Sequence, residues 1–352
     1  MSSLFTPLSV RGIEMRNRLW VSPMCQYSAT EGMPNDWHHV HLAQFAAGGA
    51  GLVIAEATAV SPEGRISPDD AGLWTDAQAR AWAPIVAAIR ARGAVAGVQL
   101  GHAGRKASTS SPLTGGRGSV APDAGGWTTV APSARAYASF AQPVALDEAG
   151  IEKVVSDFAD AARRAVAAGF QVVEVHAAHG YLLHQFLSPL TNHREDAYGG
   201  SLENRARLLV RVTEAVRAAS AEIAVFVRFS ATDAADGGWD VADTVAAARL
   251  AGAAGADLID VSSGGLVPEQ RIVPGPGYQV EYAATVRRET GLLVSAVGMI
   301  DDPALAENIV ADGRADAVMS GREWLRDPHY GLRAAAALGA DSPAPAQYLR
   351  AY

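Results

Sequence analysis

Five times along this chain a helix-like stretch stops at a glycine, and a strand-length apolar run begins about two residues later. Gly93 precedes VAGVQL (95–100), Gly169 precedes QVVEVH (171–176), Gly255 precedes DLIDVS (257–262), Gly291 precedes LVSAVG (293–298), and Gly313 precedes the run into AVMSG (317–321). Glycine suits the position just past a helix because it adopts left-handed backbone without a Cβ clash. Three more runs of the same kind, LWVSPM (19–24), GLVIAE (51–56) and AVFVRF (224–229), bring the strands to eight. Near-continuous apolar runs suit a parallel sheet covered on both faces. The intervening stretches are amphipathic. Ile151, Val154, Val155, Phe158 and Ala162 share one helical face after Asp147 as N-cap, and Leu208, Leu209, Val212 and Val216 do the same after Ser201. Eight alternating units predict a (β/α)8 TIM barrel, with a doubly wound sheet as the competitor. Residues 4–19 read as an N-terminal hairpin that plugs the barrel bottom.

The 352 residues fit one such barrel, read as a single domain over 1–352. A formal charge of −8 argues against a general nucleic-acid or anionic-membrane binder. Cys25 is the sole cysteine, which excludes an intrachain disulfide and an all-cysteine metal or cluster site. No apolar run reaches the ~18 residues of a membrane span, and residues 1–18 lack a signal-type apolar core. A soluble, cytoplasmic protein is expected. Residues 107–143, rich in Ser, Gly, Pro and Ala, break the βα rhythm as a long loop after strand three. In a barrel such a loop lies over the face where sites form, and it reads as a flexible lid. Its Gly116, Gly118 and Ala121 match G-x-G-x-x-A, but no strand precedes them and no helix follows, so the dinucleotide reading fails.

Barrel sites form just past strand C-termini. Here those positions hold Ser22, Pro23, Met24, Cys25 and Tyr27; Glu56 and Ala57; Gln99 and His102; His176, His179 and Tyr181; Arg228; Ser262 and Ser263; Gly298; and Gly321 with Arg322. Gly298 and the Gly321–Arg322 pair follow strands seven and eight, the usual phosphate position of a barrel. Backbone N–H groups approach a phosphate closely at glycine, and Arg322 adds a charged fork. The bland alternative makes these turn glycines and a surface charge. His176 and His179 admit three readings: a zinc pair completed by His102, Glu174 or Asp260; two donors holding a carbonyl or nitro oxygen with Tyr181 as proton donor; or two structural histidines. Cys25 is by default a buried inert thiol, but its place beside Pro23 and Tyr27 favours contact with a cofactor.

The stretches SPMCQYS (22–28), EATAVSPEGRIS (56–67), QLGHAGRK (99–106), EVHAAHGYLLHQFLSPLTNHREDAYGGSLENR (174–205), VRFSATD (227–233), DVSSGG (260–265), AVGMI (296–300) and ADAVMSGREWLRDP (315–328) jointly resemble the old yellow enzyme family. The likeness is to its bacterial xenobiotic-reductase and thermophilic-like ene-reductase branch, and 107–143 matches it less well. The resemblance implies a barrel with noncovalent FMN that reduces activated alkenes (enones, maleimides, nitro compounds) at the expense of NADPH or NADH. On that pattern Ser22, Pro23, Met24, Cys25 and Ala57 line the flavin. Gln99 meets its pyrimidine edge, Arg228 the ring end that becomes negative, and Gly298, Gly321 and Arg322 the phosphate. Tyr27, His176, His179 and Tyr181 face the substrate, with Tyr181 the proton donor. The C-terminal SPAPAQYLRAY (342–352) resembles a tail that crosses a dimer interface. It implies a homodimer or dimer of dimers in which Arg350 approaches the partner's pocket, Tyr352 packs beside it and Gln347 lies at the interface. A metal-dependent barrel hydrolase and a non-catalytic flavin-binding protein are the alternatives.

Overall fold

The computed structural model describes residues 2–116 and 118–351. Every expected strand forms: β1 Leu19–Val21, β2 Leu52–Ala59, β3 Val95–Gly101, β4 Val172–Ala177, β5 Ala224–Ser230, β6 Leu258–Ser262, β7 Leu293–Val297 and β8 Ala317–Ser320. All pair in parallel, and β8 closes onto β1 with Val318 beside Leu19, so the sheet is a closed barrel of eight strands. The doubly wound alternative is excluded by this closure. The five stop glycines all have positive φ, from 68° at Gly313 to 107° at Gly255.

The helices on the barrel wall are α1 Asp36–Ala47, α2 Asp76–Arg90, α3 Glu148–Ala168, a short α4 Leu182–Leu187, α5 Leu202–Ala219, α6 Val241–Ala253, α7 Val280–Thr290, α8 Pro303–Ala311, a short α9 Arg322–Arg326 and α10 Tyr330–Ala337. Asp147 caps α3 through its side chain, as the sequence predicts, and Ser201 does the same for α5. No helix among the described residues is long and apolar enough to cross a membrane.

Alternate residues of each strand point into the lumen. At the bottom these are apolar: Trp20, Leu52, Ile54, Val95, Val172, Ala224, Phe226, Leu258, Ala317 and Met319 form one buried cluster. The antiparallel hairpin Leu8–Val10/Ile13–Met15 adds Leu8, Val10 and Met15 to that cluster, which makes it the expected plug. Further up, the same inward register carries Gln99, Glu174, His176, Arg228, Asp260 and Ser262, all buried. Strand β2 carries a bulge between Ala55 and Ala57 that takes Glu56 out of the ladder.

Among the described residues the segment after β3 contains 3₁₀ turns at Gly104–Lys106, Pro112–Thr114 and Pro122–Ala124, and a two-residue strand Val130–Ala131 paired in parallel with Val144–Ala145. It is tied to the strand C-terminal face. Trp127 Nε1 donates to the Glu63 carbonyl at 2.9 Å, and the Arg65 guanidinium lies 4.7 Å from the Trp127 ring and 5.5 Å from Trp74.

Candidate active site

Two adjoining cavities open at the C-terminal ends of the strands. The larger, about 590 Å³, is lined by Ser22, Met24, Gln279, Gly298, Gly321 and Arg322 among others. The three positions read from the sequence as a phosphate site therefore meet in one concavity. Gly298 is demanded by its backbone conformation, and both glycines lie close to side chains of the wall. A Cβ on Gly298, at φ +133°, would come 2.9 Å from Gln279 Nε2, and one on Gly321 would come 3.2 Å from Met24 Sδ. The neighbouring Met299 holds a left-handed φ of 51°, a conformation a non-glycine residue adopts only under constraint. A cradle without side chains, walled by Ser and Gln and carrying one exposed cation, fits a phosphate and its polar linker.

Beneath and beside this cradle the lumen is polar. Gln99 Nε2 donates to Glu174 Oε1 at 2.7 Å, which leaves the Gln99 carbonyl oxygen free to accept. Arg228 Nε lies 3.0 Å from Asp260 Oδ2 as an ion pair, and its Nη2 donates to Ser22 Oγ at 3.2 Å. Ser295 Oγ donates to Asp260 Oδ1 at 2.9 Å. Burial and the nearby Asp260 charge push the Glu174 carboxyl up to about 8, so it keeps its proton at neutral pH. Glu174 and Asp260 are thus engaged with Gln99 and Arg228. Among the described residues no three His, Cys, Asp or Glu side chains converge as a metal-holding group.

The second cavity, about 220 Å³, is lined by Ala57, Asp70, His102, His176 and Tyr181 among others. His176 stands at the end of β4, its ring perpendicular to those of His179, 5.2 Å away, and Tyr181, 4.9 Å away. The Ala178 N–H donates to His176 Nδ1 at 3.2 Å, so Nε2 carries the proton of the neutral ring. Desolvation first, and the Arg228 charge second, hold both histidines well below their ordinary range, so both are neutral donors rather than cations. His179 Nε2 lies 2.8 Å from Ser262 Oγ, and its backbone sits at φ +58°. Desolvation within the site raises the Tyr181 phenol, which stays protonated at neutral pH.

Tyr27 is also left-handed, at φ +51°, and its loop is held by Glu56, whose Oε2 accepts from Gln26 N–H at 2.8 Å while Oε1 faces His38 Nε2 at 3.1 Å. The bulge in β2 thus gives Glu56 a structural task. The Cys25 thiol is raised by burial and by the charges of Asp70 and Glu56, so it is a neutral thiol and not a nucleophilic thiolate. Pro23 lies between Ser22 and Met24 just past β1, and Ala57 follows the bulge. Arg350 is exposed in a 3₁₀ turn, Leu349–Ala351. The tail packs near Ala47 and Arg92, past the C-terminal ends of α1 and α2, at the opposite end of the barrel from His176. Arg350 therefore does not join the site of its own chain. Tyr352 lies outside the described residues.

Sequence reading missed five contributors. Lys106 Nζ donates to the carbonyls of His179 at 2.8 Å and Gly265 at 2.9 Å, and lies 5.2 Å from the Tyr181 ring and 4.8 Å from the Tyr137 ring. The strand-end rule that found His102 reaches Lys106 too. His184 and Asp233, both fully buried, meet at 2.8 Å, and Gly180 N–H donates to His184 Nδ1 at 3.0 Å. This pair braces the turn that aims His179 and Tyr181, and only the fold brings Asp233 there. Asp70 and Gln279 come from loops with no local signal.

A closed parallel barrel with a glycine-lined concavity past β7 and β8, and a hydrogen-bonding pocket beside it, has the layout of a barrel enzyme that takes a nucleotide cofactor. The chain belongs to the NADH:flavin oxidoreductase / NADH oxidase family, whose model it matches over residues 3–340. It is 42% identical over 351 residues to the NADPH dehydrogenase of Bacillus subtilis strain 168, covering 99% of each chain. It is 44% identical to the NADPH dehydrogenase of Listeria innocua over the whole of both chains. Among solved structures, morphinone reductase superposes with a TM-score of 0.81 at 30% identity, over 97% of this chain and 91% of that one. A 2-naphthoyl-CoA reductase complex gives 0.86 at 25% identity; it matches 96% of this chain, which spans only 52% of that longer protein. The protein is an NAD(P)H-dependent FMN oxidoreductase of the old yellow enzyme type.

Proposed function

We propose that this protein is an ene-reductase acting on small activated alkenes: enones, maleimides and nitro compounds. The observation that carries the reading is the perpendicular cluster of His176, His179 and Tyr181 beside the phosphate cradle. The hydride would be supplied by FMN when bound, at the expense of NADPH or NADH. Gly298, Gly321 and Arg322 hold its phosphate, and Ser22, Pro23, Met24, Cys25 and Ala57 line its ring. The free carbonyl oxygen of Gln99 accepts from a ring N–H, and Arg228 offsets charge at the pyrimidine end. The neutral histidines donate to the substrate's carbonyl or nitro oxygen and withdraw electrons from the alkene, which makes its β-carbon electrophilic. Tyr181 gives its proton to the α-carbon, a task suited to a phenol that stays protonated at neutral pH. Tyr27 closes the substrate side.

The whole chain acts as one FMN-binding domain in a reducing, cytoplasmic setting, consistent with its single free cysteine. It works as a homodimer or dimer of dimers. Exposed Tyr348 and Leu349 in the tail, together with Trp37 and Val40 on α1, offer an apolar surface for a second copy, and Arg350 reaches the partner's substrate pocket. Rapid mixing under anaerobic conditions tests the chemistry. His176→Ala or His179→Ala should slow enone reduction about 10²-fold while reduction of the flavin by NADPH stays within about twofold. Loss of flavin reduction and enone reduction alike would place the histidines in cofactor binding instead.

A further inference from the structure

Asp70 is a buried carboxyl that this chemistry leaves unused. It lies in the loop between β2 and α2, only 2% exposed. Ser67 Oγ donates to its Oδ1 at 2.7 Å and the Ile66 N–H to its Oδ2 at 2.8 Å. The carboxyl so held forms part of the wall of the cavity that Tyr181 and His176 also line.

The groups facing Asp70 come from three loops and from the bulge of β2. Cys25 and Tyr27 follow β1, Glu56 sits at the β2 bulge, His102 follows β3 and Tyr181 follows β4. Arg65, on Asp70's own loop, is a nearby cation, its guanidinium against Trp74 and Trp127, and the Lys106 ammonium lies 5.2 Å from the Tyr181 ring. Burial, with the Glu56 charge adding to it, pushes the Asp70 carboxyl up to about 7 against the pull of its two hydrogen bonds. Asp70's charge in turn holds the protons of Cys25, Tyr27 and Tyr181 more tightly. A carboxyl used only to pin a turn has no need to share a cavity with the phenol.

We propose that Asp70 is the proton reservoir of the site, returning a proton to Tyr181 through the shared cavity after each reduction. The inference rests on Tyr181 as proton donor. The Tyr181 O–H bond breaks as the C–H bond forms at the substrate α-carbon. The phenolate then takes the proton of the Asp70 carboxyl, directly or across one water, and the Asp70 carboxylate is reprotonated from solvent. No electrons move in this relay, and each turnover consumes one solvent proton. Asp70 is thus a positioning and relay residue acting through Tyr181.

Steady-state kcat of the holoenzyme with saturating NADPH and cyclohexenone should fall on an alkaline limb centred near pH 7. Asp70→Asn should lower kcat about tenfold at pH 6, less at pH 9, and abolish the limb; Asp70→Glu should restore it. Ser67→Ala, which removes one bond to the charged form, should move the limb to higher pH and serves if the Asn variant does not fold. Infrared spectra of the holoenzyme should show a protonated-carboxyl signal that fades from pH 6 to pH 9, and the part of it that titrates near pH 7 should be missing in Asp70→Asn, leaving the part that belongs to Glu174. A well-folded Asp70→Asn enzyme with the wild-type pH profile, or a wild-type band unchanged by the substitution, overturns the relay. Tyr181→Phe separates the two readings. If it leaves the oxidative half-reaction unslowed, the Tyr181 assignment fails; if it slows that step while Asp70→Asn changes nothing, only the relay fails.

Discussion

The two ends of the barrel lumen are built from the same strands with opposite chemistry. Strand β5 shows the change in a few residues: Ala224 and Phe226 belong to the apolar plug, while Arg228, two residues on, meets Asp260. At the bottom, Trp20 stacks on Phe226 with ring centroids 5.9 Å apart. At the top, Glu174, Arg228 and Asp260 are buried with polar partners, and Tyr27, His179 and Met299 hold left-handed backbone. The lower half gains stability from apolar burial, which needs no particular partner. The upper half sets that aside for groups whose charge and direction matter, and it stands because the lower half is rigid.

The largest effect should come from breaking the lower half. Trp20→Ala removes a fully buried ring and should cost about 3–5 kcal/mol of stability in denaturant unfolding. The protein that remains folded should keep its FMN affinity. If affinity collapses with stability, the two halves are one cooperative unit and the contrast fails.

A smaller, pH-dependent effect should mark the boundary between the halves. The Glu174 carboxyl is raised to about 8 in the folded chain, above its unfolded value. Its contribution to stability is therefore fully present below the unfolded pKa and is lost as pH rises through about 8. Glu174→Gln cannot ionise, so its unfolding free energy relative to wild type should climb between about pH 5 and pH 8, by at most about 1.4 kcal/mol per pH unit. A constant difference across that range would show Glu174 already ionised in the native protein.

Arg322→Ala, in the upper half alone, should have the smallest effect on the fold. Its side chain is exposed, and stability of the flavin-free protein should change by less than about 0.5 kcal/mol. FMN dissociation, followed by fluorescence, should weaken about 10–100-fold, as expected for a lost charge-assisted contact. Unchanged FMN affinity would move the phosphate away from the β7–β8 mouth.

The barrel was legible in the order of residues because its causes are local. Left-handed glycines at 93, 169, 255, 291 and 313 stop helices, apolar runs follow, and chain chirality leaves few ways to arrange them. Candidate site residues were legible to the extent that strand ends mark the active face. That rule located Arg322, Gln99, His176 and Tyr181 without showing what they touch. Tertiary structure alone decided the rest. His184 meets Asp233 from 49 residues away in sequence, Asp70 comes to the wall behind Tyr181, the β2 bulge turns Glu56 onto Gln26, and Lys106 seats beneath the His179 carbonyl. Local sequence carries propensity and hydrophobic period, which act over a few residues. Buried charge is settled by which partners arrive from distant loops, because in a desolvated interior a polar group is stable only beside the group that satisfies it.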